Sequence, residues 1–264
     1  MKHLSGMTRV VLGAALVIAF ISPAKATEDT QTLARELWEK AIAAKGGRER
    51  LRQITNVYVA ADQGQGYRQL TFYSFPDYRF DFSYEPVREN TSIEVSNGKK
   101  GIVWWLVLRE AQPRNFQAED VYRMLLPQFL YLMVTHEIEP VPLRVRKEWV
   151  GLKRLNVIET DAQGWPVDYY LDSKTYLPVR VDLPNGVRAQ ALGEKSHFVS
   201  LGDYSAVDGV MMPHTTAHSF KFNPERWKER LKFEINTDYN PEAFEKPPTL
   251  KTSAEGWRPN QRHE

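Results

Sequence analysis

His214 and His218 stand four positions apart. On a helix that spacing puts two imidazoles on one face, as in a metal pair. The residues around them, Met211-Met212-Pro213 and Thr215-Thr216, favour a strand instead. Four strand residues span about 13 Å at roughly 3.3 Å each. Metal bonds near 2 Å do not join side chains so placed, and no metal site is expected. His136 and His197 are single, with no partner evident in the chain. The acids Asp161, Asp168 and Asp172 fall in or near turns, where aspartate is common for backbone reasons. No serine-nucleophile motif, glycine-rich phosphate loop or zincin motif is present. Catalytic residues and cofactors are therefore expected to be absent, although a triad scattered along the chain leaves no such signature.

The other chemistry the sequence offers is apolar. In Ser74 to Tyr84 (SFPDYRFDFSY), Tyr78, Phe80, Phe82 and Tyr84 alternate with Arg79, Asp81 and Ser83. A strand turns alternate side chains to opposite faces, so one face here is an aromatic row. Such a row is either ordinary core or the lining of a cavity for something greasy.

The elements that must hold these residues read as mostly β. Thr30 can cap a helix from Gln31 to about Lys45, with Leu33, Leu37, Ala41 and Ala44 at helical spacing and Ala34, Trp38 and Ile42 widening the stripe. Gly46-Gly47 stops it, and a basic turn, Arg48 to Gln53, follows. Strands are expected at Asn56–Ala61, Tyr67–Phe75, the aromatic row, Ser92–Val95 and, after the Asn97-Gly98 hairpin signal, Gly101–Leu108. Gln117–Val134 has helical spacing in Val121, Leu125, Phe129 and Leu132, interrupted by Pro127. It is expected as a lid. Further strands are expected at Trp149–Thr160, Val167–Leu171, Val179–Leu183, His197–Leu201, His214–Phe222 and Leu231–Asn236. About ten strands separated by hairpin turns predict an antiparallel sheet. The fold class is α+β, mostly β: a large curved antiparallel sheet with a few helices over one face.

Lys2 and Arg9 precede an apolar run of 12 residues, Val10 to Ile21, and then Ala24-Lys25-Ala26. The run is short of the roughly 20 residues of a membrane span. The pattern is that of a secretory signal peptide, residues 1–26, cleaved before Thr27. The 264-residue chain has no cysteine, so disulfides and lipidation at a cleavage-site cysteine are excluded. Without residues 1–26 the chain keeps 238 residues, with 32 basic and 33 acidic side chains. That near balance, with no basic stripe, argues against nucleic acid. One β-rich domain, residues 27–248, accommodates the length. The polar stretch 249–264 is expected to be a disordered tail.

Several short motifs resemble one family. They are Phe75-Pro76-Asp77-Tyr78-Arg79-Phe80, and Ser96-Asn97-Gly98-Lys99-Lys100 running into Val103-Trp104-Trp105. Leu171-Asp172-Ser173-Lys174-Thr175-Tyr176-Leu177-Pro178, Asp208-Gly209-Val210-Met211-Met212-Pro213 and Asn240-Pro241-Glu242-Ala243-Phe244 complete the set. In this order they resemble the periplasmic lipoprotein carriers of the LolA/LolB type and their lipid-carrying relatives. The resemblance implies a half-open β-barrel whose greasy concave face lies under helices. It implies a monomeric periplasmic carrier or sensor that binds acyl chains of lipids or lipoproteins in outer-membrane lipoprotein or lipid sorting, with envelope membrane proteins as donor or acceptor. Tyr78, Phe80, Phe82, Tyr84, Trp104, Leu125 and Phe129 would then line the cavity. The family's basic residue before the corner proline is Phe75 here, with Arg68 and Arg79 out of that register, so the cargo stays open. An enzyme on a similar β-scaffold and a structural envelope protein are the alternative readings.

Overall fold

The computed structural model describes residues 23–64, 67–74, 77–84, 89–96, 100–105, 110–115, 125–184, 196–220 and 223–238; side chains are described for a smaller set, chiefly 29–64, 125–183, 196–220 and 227–238. Residues 1–22 and the expected tail, 249–264, lie outside it.

The chain opens with helix α1, Pro23–Lys45, and a short α2, Arg48–Arg52. Thirteen strands follow: β1 Asn56–Gly64, β2 Tyr67–Ser74, β3 Asp77–Tyr84, β4 Glu89–Ser96, β5 Lys100–Trp105, β6 Glu110–Asn115, β7 Val141–Val150, β8 Lys153–Ala162, β9 Trp165–Leu171, β10 Pro178–Pro184, β11 Ser196–Val207, β12 Val210–Phe220 and β13 Asn223–Ile235. They form one antiparallel sheet in the order β6-β5-β4-β3-β2-β1-β13-β12-β11-β10-β9-β8-β7. The fold is a half-open barrel, mostly β, with few helices. The order has a simple cause. The chain meanders outward from β1 to the β6 edge, crosses to the opposite edge, and meanders back from β7 until β13 pairs with β1. The connection between the two edges runs from residue 115 to residue 141 and is described from residue 125.

Its described part lies over the concave face. Phe129, Leu130, Tyr131, Leu132, Met133 and Val134 are all buried, in the same core cluster as Val59, Val199 and Phe233. Of the expected lid, Gln117–Val134, residues 125–134 pack into the core, and residues 117–124 lie outside the described residues. After Pro127 the backbone makes a π-helical turn, Gln128–Leu132, closed by the Met133 N–H donating to the Gln128 carbonyl at 2.7 Å. Gln128 is buried too, and accepts from the Thr135 hydroxyl at 3.0 Å.

Two expectations at the amino end also change. α1 is already helical at Pro23, the first described residue, and so does not begin after Thr30. Its buried stripe is Ala34, Leu37, Trp38, Ala41 and Ile42, at spacings of three and four, while Leu33 is 43% exposed. Trp38 packs edge-on to Tyr169, ring centres 5.1 Å apart. The stop at Gly46-Gly47 holds: the Gly47 N–H bonds the Ile42 carbonyl at 3.0 Å, and Gly46 has φ 124. A Cβ on Gly46 would sit 2.5 Å from the Gly209 oxygen, so both conformation and close approach require glycine.

Two strands exceed the expected set. β6 was not expected, and the expected strand Trp149–Thr160 is two strands broken at Gly151, with φ 59. Among the described residues no helix is long and apolar enough to cross a membrane.

Candidate functional site: a cavity on the concave face

Register fixes which residues face inward. Val57, Val59 and Ala61 of β1 pair with Ile235, Phe233 and Leu231 of β13, and Val57 and Val59 pair with Tyr73 and Thr71 of β2. These residues are buried on one face. Between this face and residues 126–131 lies a small, open-mouthed cavity with room of about 40 Å³, enough for a few water molecules. Its described wall is Val59, Ala61, Gln63, Thr71, Tyr73, Leu126, Tyr131, His218, Trp227 and Glu229. Val59, Ala61, Tyr73, Leu126, Tyr131 and Trp227 give the wall its aliphatic and aromatic part. Tyr131 is set by edge-on packing against Phe233, ring centres 4.9 Å apart.

One end of the wall is polar, and its centre is Glu229. This carboxylate is 6% exposed and accepts four hydrogen bonds. Gln63 Nε2 at 2.9 Å and Trp227 Nε1 at 3.2 Å donate to Oε1, and Thr216 Oγ1 at 3.0 Å donates to Oε2. His218 Nε2 lies 3.2 Å from Oε2. Burial pushes the Glu229 carboxyl up, but the hydrogen bond and charge of His218, with the bonds from Thr216 and Gln63, outweigh it and pull the group down to about 2. An ionised carboxylate can only accept, so His218 Nε2 carries the proton. His218 Nδ1 lies 3.0 Å from Nε2 of His197, a hydrogen bond whose direction is set by the tautomers of the two rings. The three side chains thus form one chain, Glu229–His218–His197. Rings fasten it: His218 stacks on Trp227 at 4.7 Å and His197 on Phe220 at 5.0 Å.

This corrects the view of His197 as single, since it is wholly buried and bonded to His218. His136 also has a neighbour, Glu137 at 3.6 Å. His214 and His218 both lie on β12, as expected; His214 Nε2 meets Ser205 at 2.7 Å, away from the Glu229 chain.

Of the expected lining residues, Leu125 and Phe129 are buried in the core, and their neighbours Leu126 and Tyr131 reach this cavity. Tyr78, Phe80, Phe82 and Tyr84 lie on β3, where Tyr78 pairs with Tyr73, Phe80 with Thr71 and Phe82 with Gln69. The backbone row of Tyr78 and Phe80 therefore continues that of two cavity residues. Trp104 pairs with Ile93, which pairs with Asp81, one position out of the row of Phe80 and Phe82. The side chains of these β3 and β5 residues lie outside the described set.

Fold and site together define a class: an open antiparallel half-barrel with a small cavity of mixed apolar and polar wall beneath residues 126–131. The chain is similar in structure to a DUF1329 family protein from Desulfovibrio piger, with a TM-score of 0.50 and 10% identity over 80% of this chain and 97% of that one. It is also similar to a LolA superfamily protein from Nitrosomonas europaea, with a TM-score of 0.47 and 14% identity over 81% and 97% of the two chains. A third likeness is to Mycobacterium tuberculosis lipoprotein LppX, with a TM-score of 0.25 and 10% identity over 58% and 87%. The first shows the fold alone, and the other two carry no argument of their own. No protein-family model matches the chain, and no curated protein matches it.

Proposed function

We propose that this protein is a carrier or sensor of the cell envelope, exported by residues 1–26, that holds an acyl chain of a lipid or lipoprotein in the concave cavity. The observation that carries this reading is the open-mouthed cavity between the sheet and residues 125–134, with Val59, Ala61, Tyr73, Leu126, Tyr131 and Trp227 on its wall and Gln63, His218 and Glu229 at one end. Each methylene moved from water against an apolar wall contributes about 0.8 kcal/mol, so an acyl segment is held without shape-specific contacts. The register of Tyr78 and Phe80 beside Tyr73 and Thr71 supports extending the lining along β3. Binding is favoured over catalysis because Glu229 is saturated by four donors and held near 2. A carboxylate so placed is a poor general base at neutral pH. Sorting of lipoproteins in particular, and envelope proteins as donor and acceptor, belong to the same proposal through the motif resemblance.

Native mass spectrometry of the protein exported by its own host tests this. The expected spectrum is a chain beginning at Thr27 that carries a lipid-sized adduct. A bare protein that also fails to bind the neutral fluorophore N-phenyl-1-naphthylamine, or to release it to monopalmitoylglycerol, overturns the acyl-chain reading. A chain beginning at Met1 in a membrane fraction overturns the signal peptide.

A further inference from the structure

The hairpin joining β7 and β8 carries its apolar residues outward. Trp149 is 67% exposed and Leu152, at the apex, 97%. Val141 and Leu143 on the same edge strand are 54% and 46% exposed. A lone exposed apolar residue is ordinary, but here a tryptophan and a leucine share one tip. The turn does not demand them. Val150 pairs with Lys153, leaving Gly151-Leu152 as a two-residue loop. Gly151 has φ 59 and Leu152 is not among the left-handed residues, a turn that needs glycine first and accepts a polar residue second.

The charges around the tip have one dominant sign. Lys147, Lys153 and Arg154 are exposed, and Arg154 pairs directly across from Trp149. The acids nearby are engaged. Glu148 lies 3.2 Å from Arg146 and accepts from the Tyr170 hydroxyl at 3.1 Å. Asp172, which feels the Lys153 charge, accepts the Lys174 and Thr175 N–H groups of its own turn at 2.9 Å. An amphipathic indole beside an exposed leucine, ringed by cations, matches the interface of a bilayer whose headgroups are anionic.

We propose that the β7–β8 hairpin is a membrane-docking tip: Trp149 and Leu152 enter the headgroup boundary of an anionic lipid surface, and Lys147, Lys153 and Arg154 bind its phosphates. The attachment is peripheral and reversible, since so small an apolar insertion needs the electrostatic contribution to hold. It is independent of what the cavity carries.

Co-sedimentation of the purified protein with vesicles tests it. The expected result is binding to phosphatidylglycerol-containing vesicles, at least tenfold weaker to pure phosphatidylcholine, and falling as salt rises from 50 to 300 mM on the order expected from screening. Leu152→Glu and Trp149→Ala are each expected to lower the bound fraction at least fivefold at an unchanged melting temperature, because both residues lie outside the core. The triple change of Lys147, Lys153 and Arg154 to Gln is expected to remove the preference for anionic lipid. Wild-type protein that ignores anionic vesicles, or a folded Leu152→Glu variant that binds them as well as wild type, overturns the proposal. Binding only to a protein partner does so too.

Discussion

Glu229→Gln changes one atom of the cavity's polar end, and its consequence can be worked through. The carboxyl falls from 4.5 to about 2 on folding. That displacement converts to about 3 kcal/mol of stability at neutral pH. The group is depressed in the folded state, so this stability is fully present above 4.5 and is lost as pH falls toward 2. The amide removes it. It also turns an N–H₂ toward one of two donor pairs, Gln63 with Trp227 or Thr216 with His218. Leaving buried donors unmet costs about 1–3 kcal/mol each. The expected loss at pH 7 is therefore at least about 4 kcal/mol, against a total of roughly 5–15 for a typical domain. Urea unfolding followed by tryptophan fluorescence at pH 7, 5 and 3 measures it. The gap between wild type and variant should narrow by about 2 kcal/mol between pH 7 and 3, as the wild-type carboxylate loses its advantage. A loss under about 1 kcal/mol, or a gap that does not change with pH, refutes the account of Glu229 as an ionised centre of the network.

Burial pulls Lys45 down from 10.5 to about 7, so the unfolded chain takes its proton first and stability climbs as pH rises from 7 toward 10. Lys45→Met should abolish that climb, the difference approaching about 1.4 kcal/mol per pH unit between 7.5 and 9.5; parallel profiles in urea unfolding contradict it. Burial pushes Asp182 up to about 7 against the pull of Arg180, so the unfolded chain releases this proton first and stability falls as pH rises from 3.8 to about 7. Asp182→Asn should gain about 2 kcal/mol over wild type at pH 8, and a thermal melt showing no gain at pH 8 relative to pH 4 counts against this. If Phe82 lines the cavity, Phe82→Glu should abolish displacement of N-phenyl-1-naphthylamine by lipid while the protein stays folded; an unfolded variant assigns Phe82 to closed core, where losing a phenylalanine alone costs roughly 3–5 kcal/mol.

Much of the sheet was legible in the sequence because a half-buried strand writes itself as alternation. Leu231, Phe233 and Ile235 alternate with charged residues and are buried on one face. The least legible strands are the two at the edges of the sheet. β6 reads EAQPRN, and β7 contains Pro142 and is mostly exposed. An edge strand pairs on one side only, tolerates proline, and needs no apolar row. The β7–β8 break was hidden for the opposite reason. Trp149, Val150 and Leu152 read as strand core, yet Trp149 and Leu152 are exposed at a turn. The crossing segment's apolar content was visible; in its described part, residues 125–134, that content is buried against the sheet.

The polar end of the cavity was the hardest part to foresee, yet its signal lies in the same alternation. Counting back from Ile235, Phe233 and Leu231 gives Glu229 and Trp227 on the inward row. Counting from Val210 and Met212 gives Thr216, His218 and Phe220 on the inward row of β12, and Val199 and Leu201 lead back to His197 on β11. Each strand therefore places a polar side chain where its neighbours are apolar. A lone buried carboxylate or imidazole is costly, so such residues on adjacent strands must meet one another. The local sequence does not show which neighbours they meet. That depends on register: His218 pairs with Trp227 in one direction and Val199 in the other, and Thr216 pairs with Glu229. The inward polar positions are local information, whereas the chain from Glu229 through His218 to His197 exists only once β11, β12 and β13 lie side by side.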